Sequence, residues 1–250
     1  MKFFTLPYDS GHRGLRMGAG PLRLVELLGV DAEEIVPARA WRSEIGTSFD
    51  LYSALAKRVM ETDDFPVILS GHCGASIGAA AGLDADDLAI LWFDAHGDYN
   101  TPDTTDSGFL DGMCLAVATG RCWHGPASRI PNFKPIDPRR VMHVGARSWS
   151  PGEREALLRD GVRLEPNFDG IDATRMLVHL DLDVIDSRYG RANPFACEGG
   201  LSPDEVLGVI QSARERFTIE GLVIASYDPS CDGDGRIADA ALRVIRALSS

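Results

Sequence analysis

Leu88-Ala89-Ile90-Leu91-Trp92-Phe93-Asp94-Ala95-His96-Gly97-Asp98 is the stretch whose reading decides the fold. Its first six residues are apolar without interruption, as in a strand covered on both faces of a parallel sheet. A carboxylate, an imidazole and a second carboxylate follow at two-residue intervals. If the strand runs on to Asp98, its period of two points all three side chains to one face. Ligands of open α/β sheets bind at the carboxyl ends of strands, so the stretch reads as a metal site, against the blander alternative of a capped turn. Met176-Leu177-Val178 leads into His179-Leu180-Asp181-Leu182-Asp183 with the same alternation. Two such strand ends converging would bury negative charge that cations must offset.

Working outward, residues 2–6, 34–37, 66–69, 140–146, 162–164, 176–183 and 221–225 read as further strands. Helical spacing is found over 21–28, where Pro21 suits a first helical position, and over 48–62, 112–119, 152–158 and 238–248. Small residues after Ser70-Gly71-His72-Cys73-Gly74 suggest a helix packed close to the sheet. Ser202-Pro203-Asp204-Glu205 opens another helix with an N-cap, an early Pro and acidic first-turn residues. Residues 100–107 and 187–200 read as loops. Strands and helices alternate throughout, which predicts an α/β fold, a mostly parallel sheet of about eight strands between helices. No repeat, low-complexity segment or composition break divides the chain, so residues 1–250 are expected to form one domain.

Composition narrows the function. The chain has 250 residues, 44% hydrophobic and 25% charged, enough for a sizeable core. A net charge of −12 argues against nucleic acid or an anionic membrane surface as partner. Cys73, Cys114, Cys122, Cys197 and Cys231 are odd in number and form no C-x-x-C pair, which fits a reducing compartment. The N-terminal apolar run is too short for a signal peptide, and no stretch approaches the ~20 apolar residues of a membrane helix. A cytoplasmic protein is expected.

The motifs, in order and spacing, resemble the arginase, agmatinase and ureohydrolase family. The resemblance runs from Tyr8-Asp9-Ser10-Gly11 and Arg16-Met17-Gly18-Ala19-Gly20-Pro21 through Asp94-Ala95-His96-Gly97-Asp98 and residues 100–108. It continues through Asp181-Leu182-Asp183, Gly199-Gly200-Leu201 and Tyr227-Asp228-Pro229-Ser230. It implies a three-layer α/β/α sandwich, a pair of Mn²⁺ ions, hydroxide as nucleophile, a small guanidino or amidino substrate, and homo-oligomers such as trimers or hexamers. By resemblance Asp94 and Asp181 bridge the ions, His96 and Asp183 complete one, and Asp98 with a residue after Gly71 completes the other. Carboxylates suit hard Mn²⁺, and a two-metal site supplies hydroxide near neutral pH.

The chain departs from that family's pattern at several positions. Aligned on Gly78, the usual first-metal His is replaced by Cys73, with His72 next to it as the alternative ligand. A thiolate donor tilts the site toward Zn²⁺ or Fe²⁺. Asp111 stands where arginases carry a proton-shuttling His, and its alternative role is a helix N-cap. With Asp98 it is a catalytic candidate. Ser226 replaces the glutamate that grips the guanidinium, and Ser150 replaces the acid that grips the α-amino group. One hydroxyl cannot replace a bidentate ion pair, so a strongly cationic substrate loses favour. The Cys-for-His exchange is similar to the branch that hydrolyses N-hydroxy-arginine, whose substrate is less basic. Asn100, Thr105 and Ser107 would bind a substrate carboxylate.

Of the other histidines, His179 reads as a core residue or a donor behind a metal ligand, His143 as structural, and His12 as a loop residue. Two other functions compete. One is amide deacetylation, which related sandwich folds perform with one Zn²⁺ and a His pair not found here. The other is a metal-binding homologue without catalysis.

Overall fold

A computed structural model describes residues 1–249. Among the described residues nine strands occur in chain order: β1 (Lys2–Leu6), β2 (Tyr8–Asp9), β3 (His12–Arg13), β4 (Ala32–Glu34), β5 (Pro66–Ser70), β6 (Leu88–Phe93), β7 (Val141–Val144), β8 (Arg175–Asp181) and β9 (Thr218–Ala225). β2 and β3 make a small antiparallel hairpin, and the other seven form one sheet in the order β4-β1-β5-β9-β8-β6-β7. Every pairing in that sheet is parallel. The helices are α1 (Gly20–Leu28), α2 (Glu44–Met60), α3 (Ala75–Leu83), α4 (Cys114–Ala118), α5 (His124–Ala127), α6 (Glu153–Asp160), α7 (Pro203–Arg214) and α8 (Arg236–Leu248).

The sheet separates two apolar cores, and β6 shows why its sequence is apolar throughout. Leu88, Ile90 and Trp92 face a core shared with α2, α3, α4 and α6. Ala89, Leu91 and Phe93 face a second core shared with α1, α7 and α8. The architecture is thus the expected three-layer α/β/α sandwich. Among the described residues no helix is long and apolar enough to cross a membrane.

The main sheet has seven strands, one short of the sequence expectation. Residues 162–164 contribute only an isolated bridge, Met142 to Arg163. They leave a left-handed turn at Gly161 and run at once into Glu165-Pro166, too short a span to extend a ladder. Helix α2 begins earlier than its apolar spacing predicts because Ser43 caps it, accepting the Gly46 N–H at 3.1 Å.

The strand order places the site. β5, β9, β8 and β6 lie side by side, so the segments leaving their carboxyl ends emerge next to one another. Register aligns Phe93 with Leu180 and Asp181 with Ala225, setting the first residue after β6 beside the last residue of β8.

α7 opens with a complete capping box: Ser202 Oγ accepts the Glu205 N–H at 3.2 Å and Glu205 accepts the Ser202 N–H at 2.7 Å. Ser202→Ala should lower unfolding stability by about 1 kcal/mol in urea denaturation and leave metal content unchanged.

Candidate metal centre

β6 stops at Phe93, so the extended run to Asp98 expected from the sequence does not form. The side chains converge instead because the backbone folds around them. Asp94 Oδ1 accepts the His96 N–H at 2.7 Å, which curls the chain directly after the strand. Asp98 takes a left-handed conformation at φ 52°, rare for a residue with a side chain, and is buried. β8 ends in the same way: Asp181 Oδ1 accepts the Asp183 N–H at 2.8 Å and caps a short 3₁₀ turn over Leu182–Val184. The two ends are stitched together by the Ala95 N–H, which donates to Asp183 Oδ1 at 3.1 Å.

Asp94 lies in two groups of potential donors. Oxygens of Asp94 and Asp183 and a ring nitrogen of His96 lie within 4.8 Å of one another. Within the same limit, Asp94 meets the Cys73 sulfur and a ring nitrogen of His179. Cys73 Sγ is also 3.0 Å from Asp181 Oδ2 and 3.4 Å from Ser226 Oγ. The position of Cys73 is fixed by its own N–H, which donates to Asp111 Oδ1 at 2.7 Å. His72 points elsewhere, into a small separate cavity with Tyr52 and Glu44.

A cleft of about 530 Å³ opens over the cluster. Cys73, Asp94, His96, Asp98, Asp181 and Asp183 line it, as do Asn100, Thr105, Ser107, Asp111, Ser150 and Ser226. Apart from His72, the alternative to Cys73, the candidate site residues named from the sequence therefore meet in one cavity. Asp111 does not cap a helix: its carboxylate holds the Cys73 N–H and lies 3.4 Å from Cys114 Sγ. Sequence reasoning passed over Glu153, whose buried carboxylate takes the Tyr99 N–H at 2.9 Å, Asn100 Nδ2 at 3.0 Å and the Ser150 N–H at 3.0 Å. An acid in a helical first turn is so ordinary that nothing marked it. Asn193, also unforeseen, lies in the cleft with Nδ2 3.4 Å from Asp183 Oδ2.

The electrostatics are lopsided. Asp94, Asp98, Asp181 and Asp183 are all buried. Among the described residues no lysine or arginine forms an ion pair with any of them, and His96 alone approaches, 3.2 Å from Asp183 and 3.4 Å from Asp94. Burial, reinforced by the charge of Asp183, pushes the Asp94 carboxyl up to about 6. Burial likewise pushes Asp111 up to about 7. Asp98 rises well above the usual carboxylate range by burial and the charges of Asp94, Asp111 and Asp181, and Asp181 rises by burial and the charges of Asp183 and Asp94. Burial acts against a charged His96, but hydrogen bonds to Asp183 and Asp94 outweigh it and push the imidazole up to about 12. The residues fit divalent cations. Buried carboxylates face one another, and both Asp98 Oδ2 and His179 Nε2 are buried with no hydrogen-bond partner.

Fold and donor set together define a metallohydrolase-like α/β/α protein with its centre at the carboxyl edge of a parallel sheet. The arginase family model matches residues 7–250, and the chain belongs to that family. It is 27% identical to an arginase of Bacillus subtilis over 97% of this chain and 95% of that one. It is 28% identical to the N(omega)-hydroxy-L-arginine amidinohydrolase of Streptomyces lavendulae over 76% of this chain and 70% of that one. The crystal structure of the Bacillus subtilis arginase superposes with a TM-score of 0.84 at 24% identity, covering 99% and 97% of the two chains.

Asp94, Asp111 and His96 all bind protons more tightly here than when exposed to water. Above about pH 6.5, where the buried His72, His143 and His179 are neutral in both states because burial lowers their pKa, the folded apoprotein therefore holds more protons than the unfolded chain, and its stability falls as pH rises through 7. With metal chelated, the melting temperature should rise when pH is lowered from 8 to 6.5. With divalent ions present the trend should reverse, because metal ligands must be deprotonated. Melting curves at matched ionic strength with and without EDTA check both signs.

Proposed function

We propose that this chain is a two-metal amidinohydrolase that cleaves a C–N bond of a guanidino, N-hydroxyguanidino or amidino compound. The observation that carries this reading is the knot of buried carboxylates, with no lysine or arginine partner among the described residues, at the floor of a cleft in a member of the arginase family. Asp94, Asp181, His96, Asp183, Cys73 and Asp98 would hold the ions, His96 and Asp183 at one end of the cluster and Cys73 and Asp98 at the other. Mn²⁺ suits the oxygen-rich half, and Zn²⁺ or Fe²⁺ the half with the thiolate. Bound ions would lower the pKa of water enough to supply hydroxide near neutral pH.

Attack of hydroxide on the planar carbon makes a tetrahedral species. Its collapse breaks the C–N bond and requires one proton on the leaving nitrogen. Asp111 is suited to deliver that proton, because it lines the cleft and burial favours its protonated form, pushing the carboxyl up to about 7 in the metal-free chain. Asp98, with one buried oxygen unpartnered, is placed to accept the proton of the attacking water. The products are an amine with urea from a guanidine, or with hydroxyurea from an N-hydroxyguanidine.

The cleft favours a weakly basic reacting group. Ser226 and Ser150 are neutral where arginases carry acids, and Glu153 is occupied by backbone and amide donors. The hydroxyls of Thr105 and Ser107 accept the Gly108 and Phe109 N–H groups at 3.0 and 3.2 Å and lie 3.4 Å from each other, which leaves one of their two protons to donate to a substrate carboxylate. Likeness to an enzyme named for N(omega)-hydroxy-L-arginine supports the same choice.

Elemental analysis should find two divalent ions per chain, and Asp94→Ala or Asp181→Ala should abolish their binding. In a panel of arginine, N-hydroxy-arginine, agmatine and formimino compounds, amine release should be fastest from N-hydroxy-arginine. One ion with amide hydrolysis would instead establish the deacetylase reading, and no turnover of any amidine would establish the non-catalytic one. Asp111→Asn should keep its metal and lose about 10²-fold or more in kcat, the usual worth of a general acid.

A further inference from the structure

We propose that His179 is a metal ligand, supplying from the sheet the imidazole that the Cys73 position lacks. It would share one cation with the Cys73 thiolate and the Asp94 carboxylate. The inference rests on the proposal that Cys73 and Asp94 hold an ion, and extends it to a residue outside the ligand set assigned above.

His179 is fully buried, and its two ring nitrogens are treated differently. Nδ1 lies 2.8 Å from Ser76 Oγ in the first turn of α3, while Nε2 has no hydrogen-bond partner. A buried nitrogen without a partner is costly unless something absent from the protein chain satisfies it. With Nδ1–H donating to Ser76 Oγ, the tautomer this proposal requires, the ring presents the Nε2 lone pair, the arrangement typical of metal-bound histidine. His143, equally buried and unpartnered at both nitrogens, belongs to neither donor group, so orphaned nitrogens alone do not single out His179.

Position completes the case. A ring nitrogen of His179, the Cys73 sulfur and an Asp94 oxygen lie mutually within 4.8 Å. Three donors roughly 2.0 to 2.3 Å from one ion are at most about 4 Å apart, so binding would draw the group together by up to about 1 Å. The imidazole cannot swing away, because it is stacked on Trp92 with ring centres 3.7 Å apart and an interplanar angle of 29°. The same Trp92 donates its indole N–H to Asp94 Oδ2 at 3.3 Å. One indole thus orients two of the three donors. Thiolate and imidazole together select zinc, iron or cobalt over manganese, so the two halves of the centre would prefer different metals.

The test uses the full-length protein loaded with one equivalent of Co²⁺ or Zn²⁺. Wild type should show a thiolate-to-cobalt charge-transfer band in the near ultraviolet, and zinc-edge X-ray absorption should show sulfur and imidazole in one shell. His179→Gln should weaken zinc binding at least 100-fold and remove the imidazole signal. His96→Gln, altered at the other half, should retain both. Melting in EDTA checks that the variants fold. If His179→Gln does not, Ser76→Ala keeps the ring but frees Nδ1 and should weaken zinc binding roughly tenfold or more. Wild-type-like affinity and spectra in His179→Gln, or in Ser76→Ala where that variant stands in, would overturn the assignment and leave the two-metal proposal intact. Wild type that binds no zinc through sulfur would overturn both.

Discussion

The whole molecule has to accommodate one unfavourable arrangement: several carboxylates buried side by side. Removing a carboxylate from water is expensive, and placing a second one beside it raises the cost. The sheet holds them there mainly through backbone geometry, with the imidazole of His96 the one basic side chain paired to them among the described residues. Ala95, His96 and Asp183 all aim their N–H groups at carboxylates of the cluster, and Asp111 receives the N–H of Cys73. Two non-glycine residues at the same edge, Asp98 and Ser226, sit at φ 52° and 62°. Such backbone strain persists only where surrounding structure over-determines it, and here it coincides with the cleft.

The parallel sheet makes that possible because its strands contribute nothing else at their ends. β6 is consumed by two apolar cores, one residue to each face in turn. The polar residues begin where hydrogen-bonding to neighbouring strands ends, and the order β5-β9-β8-β6 gathers four such points. The glycine before His72 belongs to the same design. A Cβ on Gly71 would stand 2.2 Å from the Tyr8 carbonyl oxygen, so only glycine lets the chain leaving β5 pass under the N-terminal hairpin.

This logic explains what the sequence discloses and what it conceals. Unbroken apolar runs ending in Asp-x-His and Asp-x-Asp are direct consequences of two-sided burial and a ligand-bearing edge, so the fold and the carboxylates are legible. The direction of Asp98 is not, since it depends on a left-handed turn at a residue type that rarely adopts one. Residues 162–164 have the apolar character of a strand, yet whether they extend a ladder depends on the course of the chain beyond Pro166. Glu153 and His179 are concealed for a shared reason. Each has an ordinary local role, helix first turn or core strand, and only tertiary placement shows Glu153 binding three N–H donors and His179 beside Cys73.

Selectivity on the proposed reading follows from the same accounting of carboxylates. A cleft attracts a guanidinium through acid groups not already committed to metal or backbone. Asp94, Asp98, Asp181 and Asp183 belong to the cluster, Glu153 is tied to its loops, and Ser150 and Ser226 carry no charge. The remaining polar contacts, Asn100, Thr105 and Ser107, recognise shape and hydrogen-bonding capacity more than charge. Leaving a strong cation without a counter-ion costs far more than leaving a neutral group. A cleft built this way discriminates chiefly by what it fails to neutralise, and a weakly basic hydroxyguanidine is the group that loses least on entering it.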